Sequence, residues 1–582
     1  MKDFLKMTLA VIVGLVLVGV IGMMLCLGIV GSIAALGNAQ PVLPKTGVLT
    51  IDMSRIAIGE QGRESNPLQS VSGPGQVKVV GLWDAVQAVN YAASDAAIEY
   101  IYLKTDGSST DIANVSELRK ALSNFRSSGK AVVAYMESPT TGEYYLASVA
   151  DKIYMTSHPG AMPTITGISS QMTFFKDLLD RLGVNVQLIR HGKYKSAGET
   201  FVRSEPSAEN LEQYQAMIDS MWGTVAYEIA ESRGMDAGKL NELVDNLRLN
   251  LPADFLEAGL VDELLTREGM EEKLSTLSVV EDYKDVKKID FADYIAARVT
   301  PSRARRKIAV IYADGEIVDG SDRKDIAGDR FASVIEKVRR DSTVKAVVLR
   351  VNSPGGAVLA ADKIKNEVDL LKAVKPVVAS YGSYAASGGY WISANADKIF
   401  TDAVTLTGSI GVFSIIPDLS KTLKNVARVG VTSVTSNKHG DMYSLMRPLD
   451  KDEYDYMLRS VEDIYGRFTG LVAEGRGMSV EAVDSIGQGR VWTGSDAVGI
   501  GLADEIGTLE DAIRYAAVCA GDPELTDWAV CGYPEVPGPF DQVMEMLGNA
   551  PMDDESVLVR RLGGLTEVKT LARLPYEITI SR

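Results

Sequence analysis

The sequence predicts an α/β protein: an N-terminal transmembrane helix followed by two tandem copies of one α/β domain. Three observations predict it. A 30-residue stretch near the start, Met7 to Leu36, carries no charge. Several segments recur in the same order about 245 residues apart. Within each copy, short apolar strands alternate with helical patterns.

The uncharged stretch is long enough as a helix to exceed a bilayer's hydrocarbon core. Lys2 and Lys6 precede it, which predicts a cytoplasmic N-terminus and everything after Gln40 on the outer side. A cleaved secretory signal is the competing reading, but signal cores run only about 7–15 residues. Residues 1–45 are therefore expected to form a cytoplasmic tip and anchor. The chain has 582 residues, 46% hydrophobic and 24% charged, with a net charge of −17. Such acidity argues against nucleic acid as a partner. Cys519 and Cys531 lie in the exported region, where a disulfide is permitted. No metal-ligand spacing appears, and no cofactor is expected.

The duplication is read from paired segments. AVVAYMESPTTGEYYLASVADKIY from Ala131 parallels PVVASYGSYAASGGYWISANADKIF from Pro376. AESRGM from Ala230 parallels AEGRGM from Ala473, and ADFLEAGLVDEL from Ala253 parallels SDAVGIGLADEI from Ser495. The copies span residues 46–270 and 306–515. A charged helical connector, 271–305, separates them, and a C-terminal extension, 516–582, has no motif to read. The run KAVVLRV (345–351) predicts a buried strand and 357–373 a helix. PVVASY predicts a second strand, with a helix from about Ser387. Continuous apolar strands argue for a parallel sheet covered on both faces. Asn210 to Arg233 reads as one long helix that packs on the neighbouring repeat or protomer.

Two turns carry the chemistry. NSPGG (352–356) follows one strand; its proline fixes a φ and its glycines permit positive φ and close backbone approach. GSYAASGG follows the next strand and puts Ser387 at a helix N-terminus, where free N–H groups favour an anion. Adjacent parallel strands bring both turns to one sheet edge. Ser387 Oγ is then expected to face a carbonyl whose oxygen is held by the N–H groups of Gly356 and Gly388, an oxyanion hole. Tight packing is the alternative account. The first copy answers it: TDGSST replaces VNSPGG there, and Thr141 stands opposite Ser387. A packing requirement would have kept the glycines in both copies.

A serine nucleophile needs a base. His439, with Asp441 close in sequence, and His158 are triad candidates that nothing marks out. The alternative is a lysine from RHGKYKSAGETF (190–201), in the copy without the serine, acting neutral if burial lowers its pKa.

YAASGGYW, NSPGG, TLTGSIGV and GKYKSAGE together resemble the signal peptide peptidase A family of serine–lysine proteases, in its long two-domain, membrane-anchored (67K) type. The resemblance runs from the anchor to about residue 515. It implies two tandem Clp protease/crotonase-like repeats, Ser387 as nucleophile, Lys195 as general base and Ser409 as the residue that orients the lysine. It implies oxyanion donors at Gly388 and in the NSPGG turn, where Gly355 and Gly356 both remain candidates and Gly356 is favoured. It further implies peptide substrates, namely signal peptides released by signal peptidase, a homotetramer enclosing a cavity, and a bacterial inner membrane location with the catalytic part on the periplasmic side. A crotonase-like acyl-CoA enzyme and an inactive membrane scaffold are the rival readings.

Overall fold

The computed structural model describes residues 6, 14, 17, 18, 24, 41–62, 77–300, 302–321, 325–522, 525, 527–536 and 569–573. The expected anchor lies outside the described residues except at isolated positions. Among the described residues no helix is long and apolar enough to cross a membrane.

Each copy has its own sheet, parallel throughout in the first and parallel but for one edge pairing, Val491–Thr493 on Leu406–Gly408, in the second. The first runs Glu263–Leu265, Lys152–Thr156, Val132–Met136, Ile98–Lys104, Gly47–Asp52, Lys288–Asp290, with every pairing parallel. The second runs Val491–Thr493, Leu406–Gly408, Val377–Ala386, Val344–Ser353, Arg306–Asp314, Trp528–Tyr533. Its central strands are buried almost throughout. The apolar runs that looked continuous in sequence are thus covered on both faces, as parallel sheets require.

Two segments extend the sheets beyond the expected limits. The connector is not a free helix: Lys288–Asp290 pairs with Gly47–Asp52 and completes the first sheet. The C-terminal extension supplies Trp528–Tyr533, which pairs in parallel with Arg306–Asp314 at the edge of the second sheet. Cys519 and Cys531 are both free thiols.

A third sheet joins the copies. Its order is Ile326–Ala327, Ile317–Val318, Gly355–Ala357, Lys569–Arg573, Val412–Asp418, Asn185–His191. Asn185–His191 belongs to the first copy by sequence, yet it pairs antiparallel over its whole length with Val412–Asp418 of the second. The long helix Ala208–Arg233 follows it across: Ser220 and Thr493 hydroxyls lie 2.8 Å apart, and Arg490 pairs with Glu212. Behind the sheets, the fully buried Arg350 of the second copy is held by Glu60 and Glu117 of the first, at 2.6 and 2.7 Å. Burial pushes the Glu117 carboxyl up to about 7 despite the guanidinium beside it. Removing one member of a buried ion cluster costs about 3–5 kcal/mol, so this joint fixes how the copies meet.

Candidate active site

The serine strand, Val377–Ala386, ends at Ser387, whose φ is 55° and ψ −112°. A non-glycine residue in that region is strained and persists only where its surroundings over-determine it. Here they do. The Ser387 N–H donates to the Gly408 carbonyl at 2.8 Å, and Trp391 N–H donates back to the Ser387 carbonyl at 2.8 Å. The two aromatics after the turn clamp it. Trp391 packs on Phe468 with ring centroids 4.6 Å apart, and the Tyr390 hydroxyl donates to the Leu502 carbonyl at 2.8 Å. Gly389 is required by contact, because a Cβ there would sit 2.7 Å from the Ser353 carbonyl oxygen.

The lysine arrives from the other copy. Asn185–His191 delivers the chain to a loop in which Lys195 is buried. The Arg190 guanidinium braces this loop by donating to the Lys195 carbonyl and to Glu199, both at 2.9 Å. Gln213, on the long helix, donates to the Tyr194 carbonyl at 3.0 Å and to Ser196 Oγ at 3.1 Å. Lys195 Nζ lies 2.7 Å from Ser387 Oγ, 2.9 Å from Ser409 Oγ and 3.0 Å from the Ser409 carbonyl oxygen. All three partners are uncharged. Burial, with no carboxylate to offset it, pushes the Lys195 ammonium well below the ordinary lysine range. A neutral amine in contact with a serine hydroxyl can take its proton.

Ser409 presents both its oxygens to the amine because Gly408 and Ser409 take positive φ in succession, 74° and 51°. Two glycines wall the lysine stem. A Cβ at Gly489 would lie 2.5 Å from the Lys195 backbone nitrogen, and one at Gly411 would lie 3.1 Å from its Cδ. Neither was singled out from sequence. Gly411 is the second glycine of TLTGSIGV, and Gly489 lies in GQGR with nothing local to mark it.

The glycine turn lies at the same edge. The strand Val344–Ser353 pairs with the serine strand up to Ser353 opposite Ala385. Gly355–Ala357 follows immediately, with Gly356 against Ile317 so closely that a Cβ would fall 1.9 Å from the Ile317 carbonyl oxygen. The Gly355 N–H already donates to Ser353 Oγ at 3.2 Å. Gly388 is the first residue of its short helix, so its N–H has no intrahelical acceptor. Between Gly355–Ala357 and Val412–Asp418 lies the C-terminal strand Lys569–Arg573, antiparallel to both. Ser387 is fully buried.

His439 is engaged elsewhere. His439 Nδ1 sits 2.9 Å from Glu453, and Asp441 pairs with Arg447. Lys193 lies over the Tyr194 ring instead of entering the pocket.

The description "Peptidase family S49" matches residues 124–281 and 369–521, one stretch in each copy. The chain belongs to peptidase family S49. It is similar to Protease 4 of Haemophilus influenzae, 34% identical over 515 residues, covering 85% of this chain and 83% of that one. It is also similar to the chloroplastic serine protease SPPA of Arabidopsis thaliana, 30% identical over 441 residues, covering 74% of this chain and 64% of that one. A solved structure of a ClpP1 point mutant from Listeria monocytogenes overlaps 35% of this chain and 94% of its own length, at 16% identity and a TM-score of 0.24. An overlap that loose transfers nothing. This S49 member is a serine peptidase of mixed α/β fold with two family repeats. The acyl-CoA reading is set aside.

Proposed function

We propose that this S49 peptidase is a membrane-anchored endopeptidase that degrades signal peptides after signal peptidase has released them, using Ser387 and Lys195 as a catalytic dyad. The observation that carries the dyad is the 2.7 Å approach of Lys195 Nζ to Ser387 Oγ, with no carboxylate among the described residues acting on the amine. Ser387 Oγ attacks the peptide carbonyl carbon while its proton passes to Lys195 Nζ. The resulting ammonium, steadied by Ser409, gives that proton to the departing amine. Water then attacks the acyl-enzyme, again deprotonated by Lys195, and Ser387 Oγ leaves with the proton. The carbonyl oxygen, negative in each tetrahedral intermediate, is held by backbone N–H groups of Gly388 and Gly356. Gly356 is favoured because Ser353 already occupies the Gly355 N–H.

Extended peptides suit the cleft. The slot between Gly355–Ala357 and Val412–Asp418 accepts a strand antiparallel to both walls, as Lys569–Arg573 does. A substrate bound this way uses main-chain hydrogen bonds, which suits segments of varied sequence. The apolar run Met7–Leu36 supports an anchor in the bacterial inner membrane, N-terminus cytoplasmic and catalytic part periplasmic. The assembly we infer is a homotetramer whose cavity admits peptides and excludes folded proteins.

The test uses membranes of cells carrying the wild type, Ser387→Ala or Lys195→Ala, with Lys193→Ala as control. Both dyad variants should fold, lose hydrolysis of synthetic peptides and let released signal peptides accumulate, as followed by mass spectrometry; Lys193→Ala should remain close to wild type. Full activity in Lys195→Ala would remove the dyad. Unchanged signal-peptide levels beside lost peptide hydrolysis would remove the substrate and keep the peptidase.

A further inference from the structure

The two strands that carry the glycine turn and Ser387 fall out of register just before the site. Arg350 stands opposite Ser380 and Val351 opposite Tyr381, but the next pairing is Ser353 with Ala385. On the serine strand, residues 382–384 therefore face the single Asn352 of its neighbour, and the strand bulges there. The Tyr384 N–H donates to Asn352 Oδ1 at 3.2 Å, which closes the far end of the bulge. A bulge bends its strand and re-aims the side chains beyond it, and bulges are over-represented beside active sites. Ser387 follows directly in the chain, so whatever sets the bulge sets the nucleophile.

The first copy holds this bulge. The buried Arg350 guanidinium donates through Nη1 to Ser380 Oγ at 2.9 Å and to the Tyr381 carbonyl at 3.1 Å, the last two paired residues before the bulge. First-copy side chains take the rest of the guanidinium: Nε donates to Glu60 at 2.6 Å, Nη2 donates to Asn114 Oδ1 at 3.3 Å, and Glu117 lies 2.7 Å from Nη1. Glu60 also presses on the bulge, since a Cβ at Gly382 would fall 2.5 Å from its Oε1. The Ala113 N–H donates to Ser383 Oγ at 3.4 Å. The duplication shows that the fold itself does not require this arrangement. Lys104, just before TDGSST, stands where Arg350 stands before VNSPGG. It is partly exposed, pairs with Asp52 of its own copy at 3.0 Å, and its strand keeps register with Val132–Met136 over 101–104. The copy without the nucleophile thus has neither the buried guanidinium nor, over these paired residues, the bulge.

We propose that Arg350 is a positioning residue for peptide hydrolysis: held by Glu60 and Glu117, it fixes residues 382–384 and through them the placement of Ser387 against the Gly356 N–H. This role rests on the reading of Ser387 as nucleophile and Gly356 as oxyanion donor. Arg350 sits on the strand that ends in the glycine turn and grips the strand that ends in the serine, so one guanidinium spans both partners. A planar fork of donors suits that task, whereas an ammonium offers charge without fixed directions. The first copy then contributes twice. It lends Lys195 to the site directly, and through Glu60 and Glu117 it sets the angle between the two turns. Lys195 and Ser409 belong to other segments, so loosening the grip displaces the nucleophile and leaves the contacts between Lys195 and Ser409 in place.

Arg350→Lys keeps the charge and loses the fork. Ser380→Ala removes one of its acceptors, and Gly382→Ala pushes against Glu60, so two variants decide the matter if the buried lysine prevents folding. Ser220→Ala, which cuts a different contact between the copies, is the control. Each full-length chain is assayed with an internally quenched peptide and with a peptide aldehyde of the same sequence, whose adduct with the serine carries the oxyanion; circular dichroism follows its melting. A misplacement of about 1 Å costs about 100-fold in rate. The three variants should lose about 10- to 100-fold in kcat with KM close to wild type, and aldehyde inhibition should weaken by about the same factor. The pH inflection set by Lys195 should stay where it is, and Ser220→Ala should match the wild type. Folded variants with wild-type kcat and aldehyde inhibition would overturn the role of Arg350 alone. So would a loss that moves the inflection, or one that Ser220→Ala shares. A wild-type chain that hydrolyses no peptide would overturn the reading of the site and this role together.

Discussion

Ser409→Asp tests whether the peptidase depends on an uncharged lysine. Ser409 Oγ lies 2.9 Å from Lys195 Nζ. Aspartate is among the residues that tolerate positive φ, so the 51° backbone at this position can hold it. A carboxylate about 3 Å from the amine, at an effective dielectric near 20, favours the ammonium by about 5 kcal/mol, or about 4 pH units. Desolvation of the new carboxylate removes part of this, leaving an expected shift of at least about 2 units. The sign follows from the role. Activity requires the neutral amine, so kcat/KM rises with pH through the lysine's titration. In the wild type, burial holds that titration well below the ordinary lysine value of about 10.4. In Ser409→Asp the rise should move up by about 2 units or more, with kcat/KM on the rising limb about 100-fold lower or more and regained at higher pH. The assay is kcat/KM for an internally quenched peptide from pH 5 to 10, with circular dichroism at each pH. Ser409→Ala separates charge from the lost hydroxyl: it should lower the plateau and leave the inflection nearly in place. A Ser409→Asp enzyme that keeps the wild-type inflection, or one whose activity falls with rising pH, would refute the neutral-lysine mechanism.

Ending the chain after residue 568 removes the strand between Gly355–Ala357 and Val412–Asp418. Peptide kcat/KM should rise several-fold through a lower KM; an unchanged KM would mean that this strand does not compete with substrate. Mixing Ser387→Ala and Lys195→Ala chains by co-expression should restore no hydrolysis, because Lys195 reaches Ser387 of its own chain; recovered activity would place the working dyad between protomers.

Much of the site was legible because its determinants are local. The turn YAASGGYW needs small residues around a strained Ser387 and aromatics to clamp it, and these are neighbours in sequence. KYKSAGE was legible through the asymmetry of the copies. The pairing of Asn185–His191 with the second copy was not, since strand exchange depends on a partner more than 200 residues away and leaves no periodicity of its own. The same holds for Lys288–Asp290, three residues inside a charged segment that read as helix and that join the first sheet through backbone bonds. Gly489 was invisible for a related reason: only in three dimensions does its missing Cβ make room for the Lys195 main chain. The preference for Gly356 over Gly355 gained a reason only when Ser353 Oγ was found on the Gly355 N–H.

The dyad's two members are 192 residues apart, and the lysine's walls include Gly489, later still. A ribosome makes the base first, the nucleophile long after, and the wall last. A chain stopped before Gly489 therefore lacks part of the pocket that the proposed dyad needs. If the proposed dyad is the active one, hydrolysis has to wait for Asn185–His191 to pair with Val412–Asp418, a latency that comes from the fold itself.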